Sequence, residues 1–203
     1  MNYFVTAIGT DSGKTLVSAI LCEALHANYW KPVQAGYPTD TETVRNLVSN
    51  QTTQFFPEAH LLKTPASPHA AARIDGIDIK MEDFVIPESI QDVVIEGAGG
   101  CLVPLNDQDF VIDLAIRFNA LTILVANLYL GSINHTLLTV EALKSRGIAV
   151  KGIVFNGPEN QESQKVILKH SQLEPLLHIG EERSITKDTV KTYAALIKKH
   201  FQK

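Results

Sequence analysis

A Gly-Lys-Thr triplet at residues 13–15 lies between a short apolar run and a segment with helical periodicity. Residues 3–8 have the composition of a buried strand, and residues 16–26 place apolar side chains at helical spacing. A strand, a glycine-bearing turn, Lys-Thr and a helix in this order are typical of a phosphate-binding loop, in which N–H groups at the helix start point at an anion. Lys14 would supply charge for the terminal phosphates, and the Thr15 hydroxyl would ligate magnesium.

The loop departs from the strict motif at one position. The pattern G-x-x-x-x-G-K-[ST] requires glycine at position 8, where this chain has Ile8, followed by Gly9. The triplet alone is common by chance. An ordinary strand–turn–helix connection therefore remains an alternative for this segment considered by itself.

Composition and charge exclude several classes of protein. A chain of 203 residues suits one domain, residues 1–203, with a core that needs no disulfides. The formal net charge of −4 argues against a general nucleic-acid or membrane binder. Cys22 and Cys101 are too few for a disulfide framework. No charged segment precedes the first apolar run, so a cytoplasmic location is expected.

Apolar runs alternate with amphipathic segments along the chain. The predicted strands are residues 3–8, 29–33, 91–96, 121–126, 150–155 and 176–179. The predicted helices are residues 15–27, 40–49, 109–118, 132–146, 159–170 and 186–201. We predict an α/β fold with a doubly wound, mostly parallel sheet and helices on both faces, similar to P-loop NTPases. Residues 50–88 are irregular and contain several prolines, which indicates either a segment that faces the substrate or an awkward connection.

Polar residues follow the predicted strands at the edge where open α/β sheets bind ligands. These residues are Gly13 with its loop, Lys31, Glu96, Asn127 and Asn156. Their shared position indicates a ligand site more strongly than any single motif does.

Lys31 and Glu96 each allow two interpretations. Pro32 favours an extended backbone at Lys31, so the lysine can end a strand. Lys31 alone reads as a surface lysine, whereas the strand order favours a second cation that faces the phosphates. The Glu96 carboxylate can reach a magnesium held by Thr15, and the glycines of residues 97–100 let the backbone approach a ligand. The alternative is a flexible turn with a solvated glutamate.

Asp40 and Asn156 also have structural alternatives. Asp40 would cap a helix over residues 41–49. Asn156 either reads an adenine edge with its amide or belongs to a plain turn with Gly157. The histidines show no metal-ligand spacing, which argues against zinc.

Five ordered segments match the motifs of one known family. They are residues 5–6 with Thr10 and 13–15, residues 31–33 with Gly36, residues 67–69, residues 96–100 with 104–105, and residues 131–139. The last two are long and specific: Glu-Gly-Ala-Gly-Gly and Gly-Ser-Ile-Asn-His-Thr-Leu-Leu-Thr. In these segments the chain resembles the dethiobiotin synthetase family, and the resemblance covers most of its length.

The resemblance implies a reaction in biotin synthesis. One amine of 7,8-diaminononanoate takes up CO2 (or bicarbonate) as a carbamate. The carbamate attacks the γ-phosphate of ATP, and the second amine closes a cyclic urea and expels phosphate. Mg²⁺ is implied as cofactor and ATP as a substrate. A homodimer is also implied, in which the helix that begins near residue 132 serves the partner subunit's site.

The same resemblance assigns roles to individual residues. Lys14 and Lys31 would be catalytic, neutralising charge on the carbamate and the transferring phosphate. Magnesium would be held by Thr15, Asp40 and Glu96. The nucleotide would be bound by Thr10, Asp11, Ser12, Gly13, Lys14, Thr15, Leu16, Glu96, Gly97, Ala98, Gly99, Asn156 and Gly157. The substrate would be bound by Lys31, Ala35, Gly131, Ser132, Ile133 and Asn134.

Three positions differ from the family pattern. Ala7 stands where the family opens its loop with glycine, and Ala35 where many relatives carry a hydroxyl, for which Gln34 is a candidate replacement. Residues 179–181 lack the family's usual proline. A related ATP-dependent amidoligase, a partitioning ATPase and a structural module without ATP affinity are the alternatives. Partitioning ATPases often have an additional lysine early in the loop, and residues 7–12 contain none.

Overall fold

The architecture consists of a parallel central sheet with a small second sheet beside it. The structure is a computed structural model that describes residues 1–201. Its strands are β1 (Asn2–Ala7), β2 (Asn28–Trp30), β3 (Val33–Ala35), β4 (Phe55–Phe56), β5 (His60–Leu62), β6 (Val93–Glu96), β7 (Leu121–Asn127), β8 (Val150–Asn156) and β9 (Pro175–Ile179). The central sheet has seven strands in the order β4-β2-β6-β1-β7-β8-β9, and β3 pairs with β5 separately. All these pairings are parallel.

Helices follow most of the strands. They are α1 (Lys14–Leu25), α2 (Asp40–Leu47), α3 (Pro68–Asp75), α4 (Asp113–Arg117), α5 (Ser132–Ser145), α6 (Gln161–Ser171) and α7 (Lys187–Ile197), with short 3-10 turns at Met81–Asp83 and Lys198–His200. Within residues 1–201, no helix combines the length and the apolar character needed to cross a bilayer.

The core lies in two layers, one on each face of the central sheet. Successive strand side chains point to opposite faces, so in β1 Phe4 packs in one layer while Tyr3 and Val5 pack in the other. Apolar residues of α1, α2 and α7 complete one layer, and those of α3, α4, α5 and α6 complete the other. The predicted doubly wound α/β fold is confirmed. The prediction of a single domain over residues 1–203 remains a prediction.

The structure corrects several predicted elements. The strand predicted at residues 29–33 ends at Trp30, and the chain resumes as β3 in the second sheet after Pro32, which has no N–H for the ladder. The segment 50–88 contains β4, β5 and α3. Strands of two or three residues are too short to show an alternation of apolar and polar side chains, so the sequence did not predict them. The helix predicted at residues 109–118 is confined to Asp113–Arg117, because residues 105–111 form a turn in which Leu105 N–H donates to the Asp109 carbonyl.

The strand order brings three connections together at one edge of the sheet. β2, β6 and β1 are neighbours, so the segments after their carboxyl ends lie side by side. These segments begin at Lys31, at Gly97 and at Ile8. They carry most of the residues predicted to bind nucleotide and metal.

Candidate active site

The loop between β1 and α1 folds around the carbonyl of Gly9. Lys14 Nζ donates to this oxygen at 3.2 Å and Ser12 Oγ donates to it at 3.1 Å. α1 begins at Lys14, and its N-cap, Gly13, provides no side-chain acceptor for the first N–H groups. These donors are therefore available to an anion, as the sequence predicted for a phosphate-binding loop.

Gly13 is required by its backbone and by its neighbour Asn156. Its φ is +98°, a left-handed conformation, and a Cβ at this position would clash with Asn156 Nδ2. The same Nδ2 donates to the Ser12 carbonyl at 2.9 Å. Asn156, at the end of β8, thus braces the phosphate-binding loop from a strand distant in sequence. A role in reading adenine remains a prediction for this residue.

Lys14 is buried beside a second cation. Lys14 is only 7% exposed. Burial and, to a lesser extent, the positive charge of Lys31 lower the pKa of Lys14 to about 8, against the opposing effect of Glu96 and Asp40. A phosphate group placed here would reverse this shift, because an anion favours the protonated amine.

Lys31 is held by three acceptors at the junction of β2 and β3. Its Nζ lies 2.7 Å from Asp40 Oδ2, 3.0 Å from Glu96 Oε1 and 3.0 Å from the Gly97 carbonyl. The residue is 3% exposed. Burial alone would lower the pKa of Lys31, but the carboxylates of Glu96 and Asp40 raise it above its ordinary value. The ammonium group therefore stays charged, and its three N–H donors are all engaged.

Oxygen atoms of Thr15, Asp40 and Glu96 converge next to Lys31. Thr15 Oγ1 lies 3.0 Å from Asp40 Oδ1 and 2.9 Å from Glu96 Oε1. The hydroxyl carries one proton and can donate to only one of them, so the other contact brings two oxygen lone pairs together. Burial opposes ionisation of Asp40, but the charges of Lys31 and Lys14 and the hydrogen bonds from Lys31 and Thr15 together lower the pKa of that carboxyl.

Asp40 does not cap α2, which corrects the interpretation of that residue. Thr39 is the N-cap, since its hydroxyl accepts the Glu42 N–H, and Asp40 is the first helical residue. The Asp40 side chain is thereby free to face Lys31 and Thr15. Its backbone N–H donates to Gln34 Oε1 at 3.0 Å.

Gln34 joins the lysine segment to α2. Its Nε2 donates to the carbonyls of Ala35 and Gly36, at 3.4 and 3.2 Å, while Oε1 accepts from Asp40. Both ends of the amide are therefore bound to backbone. This arrangement argues against Gln34 as a replacement for the hydroxyl that Ala35 lacks.

These groups surround a cavity of about 770 Å³. Its walls include twelve of the predicted site residues: Thr10, Asp11, Gly13, Lys14, Thr15, Leu16, Lys31, Ala35, Asp40, Glu96, Ala98 and Gly99. Ser12 and Gly97 do not line the cavity. Ser12 hydrogen-bonds within the loop, and the Gly97 carbonyl accepts from Lys31. Asn156 and Gly157 lie outside the walls, and the Gly157 N–H donates to the Ile179 carbonyl at 3.0 Å.

Sequence reasoning assigned no binding role to one wall of this cavity, although Ser67 and Pro68 belong to a segment that matches a family motif. This wall is formed by the segment at the start of α3 and by residues of β3 and α2. The lining residues are Pro65, Ala66, Ser67, Pro68, Val33, Gln34, Thr43 and Leu47. The prolines of residues 50–88 gave a signal for a segment that faces the substrate, but a connection of no functional importance would have looked the same. The structure places this segment at the site.

The residues predicted to bind the substrate fall into two places. Lys31 and Ala35 line the main cavity. Gly131, Ile133 and Asn134 line a different cavity of about 650 Å³, with Tyr129 and Pro158. Ser132 is buried, and its Oγ has no hydrogen-bond partner among residues 1–201. A single chain therefore does not bring Asn134 to Lys31.

Comparisons with known proteins decide the family. A family model described as an AAA domain matches residues 1–189. A protein of Cytophaga hutchinsonii named ATP-dependent dethiobiotin synthetase BioD is 58% identical over 95% of this chain and 94% of its own length. A protein of the same name from Christiangramia forsetii is 50% identical over 98% of this chain and 96% of its own. The chain belongs to the dethiobiotin synthetase family. As a member of that family it is an ATP-dependent ligase of biotin biosynthesis.

Solved structures share the fold of this family member at low sequence identity. A ParA family ATPase from Chlorobium tepidum matches 96% of this chain and 98% of its own, with a TM-score of 0.56 and 10% identity. A putative plasmid partition protein from Borrelia burgdorferi, bound to AMPPNP, matches 98% and 97%, with a TM-score of 0.61 and 11% identity. These likenesses confirm the P-loop NTPase-like architecture. At such identities they show the fold alone, whereas the high sequence identity lies with the dethiobiotin synthetases.

The oxygen cluster suits the metal that the family resemblance implies. Magnesium prefers hard oxygen ligands and is bound in nucleotide sites by one or two carboxylates together with phosphates. Thr15 presents such an oxygen within hydrogen-bond distance of both the Asp40 and the Glu96 carboxylate. Their close lone pairs favour a cation between them. The residues present therefore fit Mg²⁺.

Proposed function

We propose that the chain catalyses the ATP- and Mg²⁺-dependent conversion of 7,8-diaminononanoate and CO2 into the cyclic urea dethiobiotin. Family membership supports the ATP-dependent ligase reaction. The observation that carries the finer proposal is the cluster of two lysines and three oxygen ligands at the end of the phosphate-binding loop. Such a cluster suits the attack of one anion on another.

The phosphoryl step requires charge neutralisation more than covalent help. A carbamate that attacks the γ-phosphate brings two negative groups together. Lys14 and Lys31 would offset this charge, and the N–H groups at the start of α1 would hold phosphate oxygens. Mg²⁺ held by Thr15, Asp40 and Glu96 would supply further positive charge on the phosphates. The product of this step is the mixed carbamic–phosphoric anhydride, which the second amine opens as the ring closes.

Lys31 must exchange one of its hydrogen-bond partners before it can contact the carbamate or the transferring phosphate. All three of its donors are engaged by Asp40, Glu96 and the Gly97 carbonyl. A carbamate or phosphate oxygen therefore has to replace one of these acceptors. Asp40 is the acceptor best placed to be replaced, since its side chain is 32% exposed while that of Glu96 is 0% exposed.

We further propose a homodimer in which α5 of one subunit completes the site of the other. The start of α5 offers free N–H groups to a carboxylate, and Asn134 lies in its first turn. Exposed apolar side chains surround this region: Leu130 is 102% exposed and Tyr129 is 45% exposed. A partner subunit would cover them.

The decisive experiment mixes purified protein with magnesium-ATP, ¹³C-bicarbonate and 7,8-diaminononanoate. We expect phosphate release that depends on the diamine and a cyclic urea whose carbonyl carries the label. A monoamine of the same chain length is the control, since it forms a carbamate but cannot close the ring. Phosphate release indifferent to the diamine, with no labelled urea, would contradict the proposal.

A further inference from the structure

The Tyr29 hydroxyl contacts the Glu96 carboxylate from inside the protein. Tyr29 lies in β2 and Glu96 ends β6, the neighbouring strand. Tyr29 Oη donates to Glu96 Oε2 at 3.0 Å. The tyrosine is 0% exposed, and its ring packs against Phe55 with centroids 6.1 Å apart. The donor therefore has a fixed position.

The two oxygens of Glu96 have separate partners. Oε1 faces Thr15 Oγ1 at 2.9 Å and Lys31 Nζ at 3.0 Å, inside the site. Oε2, among residues 1–201, accepts a hydrogen bond only from the buried Tyr29 hydroxyl. A buried carboxylate oxygen without a donor is costly. Without the Tyr29 hydroxyl, the carboxylate would rotate to share Lys31 or Thr15 between both oxygens.

We infer that Tyr29 is a positioning residue for the metal and phosphate site, an inference that rests on the proposed function. Its hydroxyl occupies Oε2 and so presents Oε1 alone to the cation. Hydrogen bonds to ligating carboxylates orient them, and their loss typically costs tenfold or more in metal affinity. None of the sequence motifs includes Tyr29, because an aromatic residue in a strand reads as core.

The test is Tyr29→Phe, which removes the hydroxyl and keeps the ring. Mn²⁺ binding would be measured from the electron paramagnetic resonance signal of free Mn²⁺ in the presence of a non-hydrolysable ATP analogue. We expect half-saturation to require about tenfold more Mn²⁺ than in the wild type. Affinity for the same analogue in EDTA should change by less than about twofold, because the phosphate-binding loop is untouched. Tyr3→Phe is the matched control, since Tyr3 is also buried in the layer that contains α1.

A donor-retaining variant separates a positioning role of the Tyr29 hydroxyl from a packing role of its ring. Incorporation of 4-aminophenylalanine at position 29 keeps a donor in the same place and should restore wild-type Mn²⁺ binding. An unchanged Mn²⁺ half-saturation in Tyr29→Phe would overturn the inference. If Tyr29→Phe does not fold, the 4-aminophenylalanine variant decides, and weakened Mn²⁺ binding there would overturn it. None of these measurements uses the diamine, so failure of the proposed reaction is detected separately, by the absence of cyclic urea in the wild type.

Discussion

Lys14 occupies a position where its own charge is costly until a ligand arrives. The pKa of about 8 in the free protein results from burial and from the proximity of Lys31. Because nucleotide phosphates are anions, the protonated amine binds them better than the neutral one. Binding should therefore take up a proton wherever the free lysine is partly deprotonated.

We expect nucleotide affinity to fall progressively as the pH rises through the Lys14 pKa of about 8. The protonated fraction of free Lys14 declines above its pKa of about 8, so affinity should drop by up to about tenfold per pH unit. Calorimetric titration with a non-hydrolysable ATP analogue, in two buffers of different ionisation enthalpy, would measure affinity and proton uptake together. In Lys14→Arg the side chain stays charged, so the decline should vanish. A wild-type affinity that stays flat to pH 9.5 would refute the assignment.

Lys31 compensates the charges of Asp40 and Glu96, and we propose that it also supplies charge for catalysis. From the sequence alone, Lys31→Gln should reduce turnover more than folding. The structure adds a stability cost, because Glu96 and Asp40 lose their shared cation. We expect turnover to fall by a factor of about 100 or more and the free energy of unfolding to fall by about 3 kcal/mol.

The two effects of Lys31→Gln are separated by denaturant titration and turnover assays on the same preparations. Added Mg²⁺ should recover part of the lost stability, since it can replace the missing cation beside Asp40 and Glu96. Lys80→Gln is the control, because Lys80 is paired with Asp78 on the surface with its side chain 64% exposed. Wild-type turnover in Lys31→Gln would remove Lys31 from the catalytic set.

At the scale of elements, the phosphate-binding loop depends on a contact between β8 and the start of α1. Gly13→Ala would place a Cβ against Asn156 Nδ2 on a backbone with φ +98°. Gly76→Ala meets similar backbone strain, at φ +69°, with nothing within 4 Å. The pair therefore separates the clash from the left-handed conformation.

We expect Gly76→Ala to lower the free energy of unfolding by about 1 kcal/mol and to leave nucleotide binding unchanged. Gly13→Ala should cost more than this and abolish the rise in Tm that a nucleotide produces, because displacement of Asn156 releases the Ser12 carbonyl. Thermal denaturation with and without an ATP analogue measures both effects. Equal behaviour of the two variants would mean that the contact with Asn156 has no consequence.

Long elements with clear periodicity were predictable from the sequence, and short ones were not. β1, its loop and α1 were predicted because an apolar run, glycines and a helical pattern occur in order. β3, β4 and β5 have two or three residues each and pair across the chain, so only the folded structure reveals them. The prediction that Asp40 caps α2 was wrong because Thr39, one residue earlier, is an equally suitable N-cap by residue type.

At the scale of the whole molecule, one chain brings together the residues proposed to bind metal and phosphate but not the complete set predicted for the substrate. Lys31 lines one cavity and Asn134 another. The proposed dimer resolves this separation, because α5 of one subunit would face the cavity of the other. Sequence resemblance suggested this arrangement, while periodicity and composition could not, since neither carries information about a second chain.

Complementation between two inactive variants tests the shared site. Lys31→Gln disables one half of a site and Asn134→Ala the other. If each site takes one half from each subunit, a mixed dimer contains one native site. Co-refolded equal amounts should then regain about a quarter of wild-type turnover, because half of the dimers are mixed and each has one working site. Mixtures no more active than the separate variants would argue that each chain works alone.

The contact between Gly13 and Asn156 also has an evolutionary consequence. Gly13, at the start of α1, and Asn156, at the end of β8, compete for the same space, so a substitution at one position constrains the other. A lineage that replaces Asn156 with a smaller residue loses the brace on Ser12 before it gains freedom at Gly13. The two positions should therefore change together or not at all among descendants of a common ancestor.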